Sequence, residues 1–258
     1  MILGRHYGHG PLQALALHCS LAHAGEWSGL GAALGELLTI TACDLPGHGK
    51  AADWVPGTDI AAAAEAVALA ALSPGRVDLI GHSFGAVVAL RLALAHPARV
   101  RRLILIEPTL FAAAAGTAAA ADLVVRQGAS EAAWAAGDAE RAAELFIRIW
   151  GTGEAWEQLP EAQRRYVVQR IGLIFAARPV LDEDSGRLLA PGRLEGFRQP
   201  VLLLEGGASP PVIAAIASAL AARLAMAERQ VVPGAGHMLP VTHNAEVAAA
   251  IRGFLSRG

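Results

Sequence analysis

The sequence predicts an α/β fold with a mostly parallel, doubly wound sheet and a long helical insertion. Short apolar runs bounded by Gly, Pro or Asp alternate with longer helical stretches, which is typical of parallel strands joined by crossover helices. Two of the runs, LILI at 103–106 and VLLL at 201–204, contain no polar residue, as expected for strands buried on both faces. The segment 110–197 between them shows helical patterns and no convincing strand.

The individual elements follow from this alternation. Strands are predicted at six segments: 12–17, 38–43, 76–80, 102–106, 201–204 and 229–232. Helices are predicted at five segments: 26–37, 59–72, 86–96, 210–225 and 244–255. Parallel strands place their carboxyl ends at one edge of a sheet, so the loops after these strands are expected to share that edge.

The domain organisation is predicted from the helical insertion. Residues 1–109 and 198–258 would form the α/β core, and 110–197 a helical cap over the sheet. The cap holds most of the large aromatic side chains of the protein, namely Trp134, Trp150, Trp156, Tyr166, Phe146 and Phe175. Most of them are expected to form the interior of the cap, because helix packing requires large residues.

Composition excludes several classes of partner. The 258 residues carry 21 basic and 23 acidic side chains, a formal net charge of −2. No field of one sign is available to attract nucleic acid or an anionic membrane, so we expect neither as a partner. The sequence does not indicate an oligomeric state.

The cysteine count and the first residues favour a cytoplasmic location. Cys19 and Cys43 do not make a disulfide framework. Met1 to Gly10 lack the basic flank, apolar stretch and cleavage site of a signal peptide. No run of about 20 apolar residues predicts a membrane span.

A candidate nucleophile, Ser83, lies in the motif G-x-S-x-G at 81–85, between a predicted strand and a predicted helix. In this context the serine occupies a sharp turn, and Gly81 and Gly85 allow the close packing that the turn requires. The N-terminus of the following helix carries partial positive charge towards the reaction centre. The neighbouring His82 is not predicted to be its base, because adjacent side chains diverge on this turn. His82 is expected to pack beneath the site.

A candidate general base, His237, follows the last predicted strand on the glycine-rich loop Pro233-Gly234-Ala235-Gly236-His237. A histidine on such a loop can reach the serine, take its proton and return it to the leaving group. His243 is nearby but is predicted to begin the last helix. His18, His23 and His48 lack the spacing of metal ligands, so we expect no metal and no other cofactor.

Four motifs together resemble the α/β-hydrolase superfamily over nearly the whole chain. They are Leu17-His18-Cys19-Ser20 with Trp27 after it, Asp44-Leu45-Pro46-Gly47-His48-Gly49-Lys50, the Ser83 turn and the His237 loop. The resemblance implies about seven to eight strands and a helical cap after the sixth. The N-terminus is short for eight strands, so the first antiparallel strand is expected to be missing. The resemblance also implies that the backbone N–H groups of Ser20 and Phe84 form an oxyanion hole.

The sequence departs from this superfamily most at the catalytic acid. The usual Asp, two or three residues after the Gly that ends the seventh strand, is replaced by Ser209, which we interpret as the N-cap of the next helix. Glu107 is the predicted acid, because some members of the superfamily place it at the end of the sixth strand and because a carboxylate after four apolar residues needs a partner. Glu205 is the main alternative. A Ser–His dyad, or an acid from the cap such as Asp182 or Asp184, also stays open.

Two smaller departures are expected to matter less. Cys19 replaces the Gly that usually follows the histidine of the oxyanion loop, which narrows the loop but keeps the N–H of Ser20. Lys50-Ala51 replace a polar Ser or Thr at the end of a structural loop.

These residues predict a serine hydrolase that cleaves a small to medium, mostly uncharged carboxylic ester through an acyl-enzyme. Hydrolysis of lactones, thioesters or carbon–carbon bonds beside a ketone are alternatives on the same residues. A ligand-binding module with little turnover, or a protein that binds a partner through its cap, is an alternative of a different class. The candidate pocket residues are Leu21, His82, Phe111, Trp134, Trp150 and Met238.

Overall fold

Seven strands form a single sheet within residues 4–257, the part of the chain that the computed structural model describes. The strands are β1 (Gly4–Tyr7), β2 (Leu12–Leu17), β3 (Leu38–Cys43), β4 (Val77–His82), β5 (Val100–Ile106), β6 (Val201–Gly206) and β7 (Ala227–Val232). Their order is β1-β3-β2-β4-β5-β6-β7, and only β1 pairs antiparallel with its neighbour. The predicted sheet of seven to eight mostly parallel strands is confirmed.

Helices cover both faces of the sheet, as a doubly wound fold requires. The core helices are α1 (Ser28–Leu34), α2 (Ile60–Ala71), α3 (Phe84–Ala95), α9 (Pro211–Ala221), α10 (Leu239–Thr242) and α11 (Asn244–Leu255). One apolar cluster joins α2, α3 and α9 to the sheet, and a second joins α1 and α11 to its other face.

The strand β5 shows why its sequence contains no polar residue over four positions. Leu103 and Leu105 belong to the first apolar cluster, whereas Ile104 and Ile106 belong to the second. Successive side chains of a strand point to opposite faces, so a sheet covered on both sides requires every position to be apolar.

The segment 110–197 lies between β5 and β6 and contains no strand. Its helices are α4 (Ala118–Ala135), α5 (Ala139–Trp150), α6 (Glu161–Arg170), α7 (Gly172–Ala176) and α8 (Arg178–Leu181). A small apolar cluster of its own includes Ala142, Trp156 and Val167. The insertion follows β5, the fifth strand that the structure describes. We expected it after the sixth strand on a plan of about eight strands, whereas the described sheet has seven.

The first strand was not predicted from the sequence. Gly4–Tyr7 pairs antiparallel with β3 at the edge of the sheet, where we expected the first antiparallel strand to be missing. Three of its four residues are exposed, so it lacks the apolar pattern that identifies the other strands. Within residues 4–257, no helix is long and apolar enough to cross a membrane.

Candidate active site

Ser83 lies on a strained turn between β4 and α3. Its backbone has φ 55° and ψ −119°, a conformation that side chains rarely adopt, and its N–H donates to the carbonyl of Ile106 at 2.9 Å. Added Cβ atoms would lie 2.4 Å from the Gly85 carbonyl oxygen at Gly81 and 2.2 Å from the Leu17 carbonyl oxygen at Gly85. Glycine at both positions therefore lets the turn close against the end of β2.

His237 reaches Ser83 from the loop after β7. Its Nε2 lies 3.0 Å from Ser83 Oγ, and its Nδ1 lies 2.8 Å from Glu107 Oε2. With the ring proton on Nδ1, His237 donates to the carboxylate and accepts from the serine hydroxyl, which is the arrangement of a general base. All three side chains are buried.

Glu107 directly follows β5, and its backbone also has a positive φ of 52°. The N–H of Glu107 donates to the carbonyl of Leu204 at 2.8 Å, which extends the pairing of β5 with β6 by one residue. Carboxylate oxygen Oε1 accepts from the N–H of Gly206 at 2.6 Å and from Ser209 Oγ at 2.9 Å. Both oxygens of this buried carboxylate thus have donors, as an ionised group away from water requires.

The other acids considered from the sequence have different partners. Glu205 binds the Arg229 side chain, and Asp182 binds that of Arg178. Asp184 accepts from two backbone N–H groups, those of Leu188 and Leu189. The structure therefore brings Glu107, and none of these three, to His237.

The interpretation of Ser209 as a helix cap was wrong. Helix α9 begins at Pro211, and its N-cap residue is Pro210. The Ser209 hydroxyl instead donates to Glu107, because the loop after β6 runs beside the end of β5. Position 209, where the superfamily resemblance predicted the acid, here supplies a hydrogen bond to Glu107 on the neighbouring strand.

Burial lowers the pKa of His237 below its ordinary value of 6.5. The hydrogen bond and the charge of Glu107 oppose this effect but do not cancel it, and the charge of His82 adds to the lowering. The ring is therefore neutral, and able to accept a proton, at neutral pH.

A mostly apolar cavity of about 150 Å³ opens above Ser83 and His237. Among the predicted pocket residues, Leu21, Phe111, Trp150 and Met238 line it. The Trp150 ring lies edge-on to His237, with 4.7 Å between ring centroids. The segment 110–197 thus supplies much of the cavity wall, whereas Ser83 and His237 lie outside this segment.

Two of the predicted pocket residues lie elsewhere. Trp134 is 38% exposed and does not line the cavity, although it stacks on the lining residue Phe175 at 5.0 Å between ring centroids. His82 is fully buried and packs beneath His237, with 5.1 Å between the ring centroids. Side-chain direction decides both cases, and sequence position alone does not reveal it.

The predicted oxyanion donors, Ser20 and Phe84, belong to the loop after β2 and to the start of α3. Phe84 is the first residue of α3, where a backbone N–H has no acceptor one turn earlier in the helix. Ser20 lines the cavity at the end of β2, followed by Leu21 with a positive φ of 62°. Ser20 and Ser83 line the same cavity, and the oxyanion role of the two N–H groups stays a prediction.

A second histidine–carboxylate pair, which sequence reasoning missed, lies behind the first. His82 Nδ1 and Glu26 Oε1 are 2.5 Å apart, and Glu26 Oε2 accepts from the N–H of Cys19 at 3.0 Å. His82 Nε2 lies 2.9 Å from the backbone carbonyl oxygen of His237. Glu26 gave no signal in the sequence, because it lies between Gly25 and Trp27, outside any motif.

The chain belongs to the alpha/beta hydrolase family, whose sequence profile matches residues 14–250. This result agrees with the resemblance found in the four motifs and with the order of strands.

Several curated proteins are similar over part of their length. Lipase LipV of Mycobacterium tuberculosis is 38% identical over 121 residues, which are 43% of this chain and 44% of that protein. The pimeloyl-[acyl-carrier protein] methyl ester esterase of Nitrosomonas europaea is 36% identical over 102 residues, 40% of this chain and 39% of that protein. The matches thus span less than half of either relative.

Solved structures share the fold over nearly the whole chain. The 2-hydroxy-6-oxo-6-phenylhexa-2,4-dienoate hydrolase of a Rhodococcus species superposes with a TM-score of 0.75 at 18% identity, covering 99% of both chains. An esterase of Thermogutta terrifontis gives a TM-score of 0.70 at 23% identity, covering 98% of this chain and 92% of that one.

Proposed function

We propose that this protein is a serine hydrolase that cleaves small to medium, uncharged carboxylic esters. The observation that carries the proposal is the continuous contact from Ser83 Oγ through the His237 ring to Glu107, on a serine held in a strained turn. The two similar curated proteins named above, a lipase and a methyl ester esterase, support an ester as the substrate.

The reaction follows from the contacts. His237 Nε2 takes the proton of Ser83 as Oγ attacks the ester carbonyl carbon, and the carbonyl oxygen becomes an oxyanion between the N–H groups of Ser20 and Phe84. His237 then returns the proton to the alkoxide leaving group as the carbon–oxygen bond breaks. Water, deprotonated by the same ring, then attacks the acyl carbon, and the ring returns this proton to Ser83 Oγ as the bond between Oγ and the acyl group breaks. Glu107 holds the ring tautomer and stabilises the imidazolium in both steps.

The lining of the cavity supports an uncharged substrate. Apart from His237, the acidic and basic side chains that line the cavity are Glu131, Arg178 and Asp182. Arg178 lies 2.7 Å from Asp182 and 3.2 Å from Glu131, so its charge is already paired. A negatively charged acyl group would find no unpaired positive charge among these three residues, and most of the remaining lining is apolar.

The closing experiment is labelling by a fluorophosphonate, which phosphonylates an activated serine. We expect labelling of the wild type and of Ser256→Ala, an exposed serine near the C-terminus, and none of Ser83→Ala or His237→Ala. An unlabelled wild type would contradict the proposal and favour a ligand-binding module. Turnover of p-nitrophenyl esters beside thioester, lactone and β-diketone substrates then identifies the bond, and we expect the esters to be fastest.

We also propose a cytoplasmic location and a small molecule as the only partner that the reaction needs. The support is the near balance of basic and acidic side chains, together with Cys19 and Cys43, which form no disulfide and are buried. Labelling of the native protein in cell fractions would contradict the location if the signal appeared outside the cytoplasm.

A further inference from the structure

Three loops that carry the reacting groups meet at His82. Its Nδ1 contacts Glu26 at 2.5 Å, and its Nε2 contacts the carbonyl oxygen of His237 itself at 2.9 Å. The other oxygen of Glu26 accepts from the N–H of Cys19, the residue before Ser20. His82 is in turn the residue before Ser83.

Both ring nitrogens of His82 therefore face oxygen atoms. The carbonyl oxygen can only accept, so Nε2 carries a proton. A further proton is shared in the contact between His82 Nδ1 and Glu26. When this proton lies on Nδ1, the pair consists of an imidazolium and a carboxylate. Burial lowers the pKa of His82, but the charge and hydrogen bond of Glu26 outweigh it and raise the pKa overall. Burial likewise raises the pKa of Glu26, and His82 reverses this effect.

We propose that Glu26 and His82 are positioning residues that hold the base loop and the oxyanion loop in register with the nucleophile, an inference that rests on the proposed function. Through His82, the pair fixes the peptide that carries His237. Through Cys19, it fixes the peptide next to the N–H of Ser20. A one-ångström displacement of either group is enough to slow an acyl transfer on the order of 100-fold.

The contacts distinguish this role from simple filling of the core. A buried histidine needs partners for its two nitrogens, but nothing in packing requires that these partners lie on the loops of the base and the oxyanion hole. A metal site is a further reading, because ligand atoms of Cys19, Glu26 and His82 lie within 4.8 Å of one another. An ion there would have to break the bond between Glu26 and His82, so we interpret the cluster as hydrogen bonded.

The pair also acts on the protonation of His237. The ionisable groups that act on this ring are Glu107 at the end of β5, His82 beside Ser83, and Glu26 behind His82. Glu107 and Glu26 raise the pKa of His237, and His82 lowers it. His82 contacts His237 directly, whereas Glu26 lies on the far side of His82. The positive charge of His82 therefore has a larger effect on the pKa of His237 than the negative charge of Glu26. Loss of the charged pair should raise the pKa of the base.

The test compares variants that keep a hydrogen-bonding group at the position of one or the other ring nitrogen of His82. A Gln amide nitrogen can replace Nε2, whereas an Asn amide nitrogen can replace only Nδ1, and Phe replaces neither. We expect His82→Phe and His82→Asn to lower kcat for an ester about 10- to 100-fold with little change in KM. His82→Gln should recover about tenfold of that loss, because it again donates to the His237 carbonyl.

The variant Glu26→Gln separates charge from geometry. A Gln can accept from the Cys19 N–H and donate to His82 Nδ1, so the contacts persist while the ion pair is lost. We expect the acid limb of kcat/KM, which lies below pH 6.5 in the wild type, to move to higher pH in Glu26→Gln and in His82→Gln. Glu26→Gln should keep more of kcat than His82→Phe. Thermal unfolding shows that each variant assayed is folded.

The outcomes distinguish this inference from the proposed function. If the wild type is neither labelled by a fluorophosphonate nor active, the proposed function fails. If the wild type is active but folded His82→Gln and His82→Asn lose equal activity, or lose none, the positioning role is overturned. If the acid limb of kcat/KM does not move in Glu26→Gln, the proposed effect of the pair on the pKa of His237 is overturned. This test holds even if His82→Phe fails to fold.

Discussion

Glu107 and Ser209 show how the role of one residue depends on a neighbour on the next strand. Glu107 ends β5, and Ser209 lies on the loop after β6, yet Ser209 Oγ is only 2.9 Å from Glu107 Oε1. Either backbone position can therefore present a side chain to the same small space. Here the longer residue lies on β5 and points its second oxygen to His237.

We expect Glu107→Gln to lower kcat on the order of 10³- to 10⁴-fold, because the amide no longer stabilises the imidazolium and can favour the wrong tautomer of His237. Ester turnover by folded protein is the measurement. Glu205→Gln and Asp184→Asn are matched controls, since these carboxylates contact Arg229 and backbone N–H groups instead. Equal losses in the controls would remove Glu107 from the proposed mechanism.

The proximity of the two positions predicts that the acid can be moved. Ser209→Asp alone should inactivate the protein, because it would place two carboxylates in contact and raise the pKa of one of them. Adding Ser209→Asp to Glu107→Gln should instead restore at least about tenfold of the lost kcat, by supplying a carboxylate from the next strand. No recovery in a folded double variant would show that position 209 cannot reach the base.

Sequence alone identified the residues of the candidate site that lie in local motifs. Ser83 and His237 each carry their own context of strand, glycine-rich loop and helix. Glu107 could be predicted only from the superfamily resemblance and from its place after four apolar residues, and the alternative Glu205 could be set aside only once its contact with Arg229 was known. Glu26 could not be found, because its partner His82 lies 56 positions away and only the folded loops bring them together.

At the scale of elements, the turn between β4 and α3 depends on the end of β2. The Cβ position of Gly85 is occupied by the carbonyl oxygens of Leu17 and His18, at 2.2 and 2.4 Å. These are backbone atoms, so they cannot move aside as a flexible side chain would. The nucleophile turn and the oxyanion loop thus share one contact surface.

We expect Gly85→Ala to destabilise the protein by about 1–3 kcal/mol or more, through overpacking at this surface. Gly128→Ala is the matched control, because Gly128 lies inside α4 with open space around its Cβ position. That change should stabilise the helix by up to about 1 kcal/mol. Chemical denaturation of both variants tests the pair, and equal effects would contradict the contact with β2.

The strands β2 to β7 could be predicted from sequence, and the polar edge strand β1 could not. The strands β2 and β3 were predicted with the bounds they have in the structure. The predicted helix at 26–37 is shorter, because 24–27 form a 3-10 turn before α1 begins at Ser28. β1 has a polar, exposed sequence, and its place in the sheet depends on pairing with β3, which is a property of the whole fold.

At the scale of the molecule, the proposed catalytic residues lie outside the segment 110–197, and this segment lines much of the cavity beside them. Phe111, at its start, lies 5.9 Å from Trp150 between ring centroids, and Trp150 lies against His237. The cavity of about 150 Å³ is small beside typical ligand pockets, so short acyl groups should fit best.

We expect acetyl to hexanoyl esters to be turned over faster than dodecanoyl esters by the wild type. Phe111→Ala should shift this preference towards longer acyl groups, because it removes a ring from the cavity wall. Val125→Ala, at an exposed position of α4 outside the cavity lining, should leave the preference unchanged. Steady-state kinetics over a series of acyl lengths is the measurement, and a parallel shift in both variants would contradict this assignment of the wall.

The segment 110–197 leaves the sheet at the end of β5 and returns at the start of β6, and these two strands are hydrogen-bonded neighbours. An insertion that departs and re-enters on adjacent strands can lengthen, shorten or be exchanged while every strand keeps its register. Ser83, Glu107 and His237 all lie outside it. A lineage can therefore change which molecules enter by replacing one continuous piece of its gene, and inherit the chemistry unchanged.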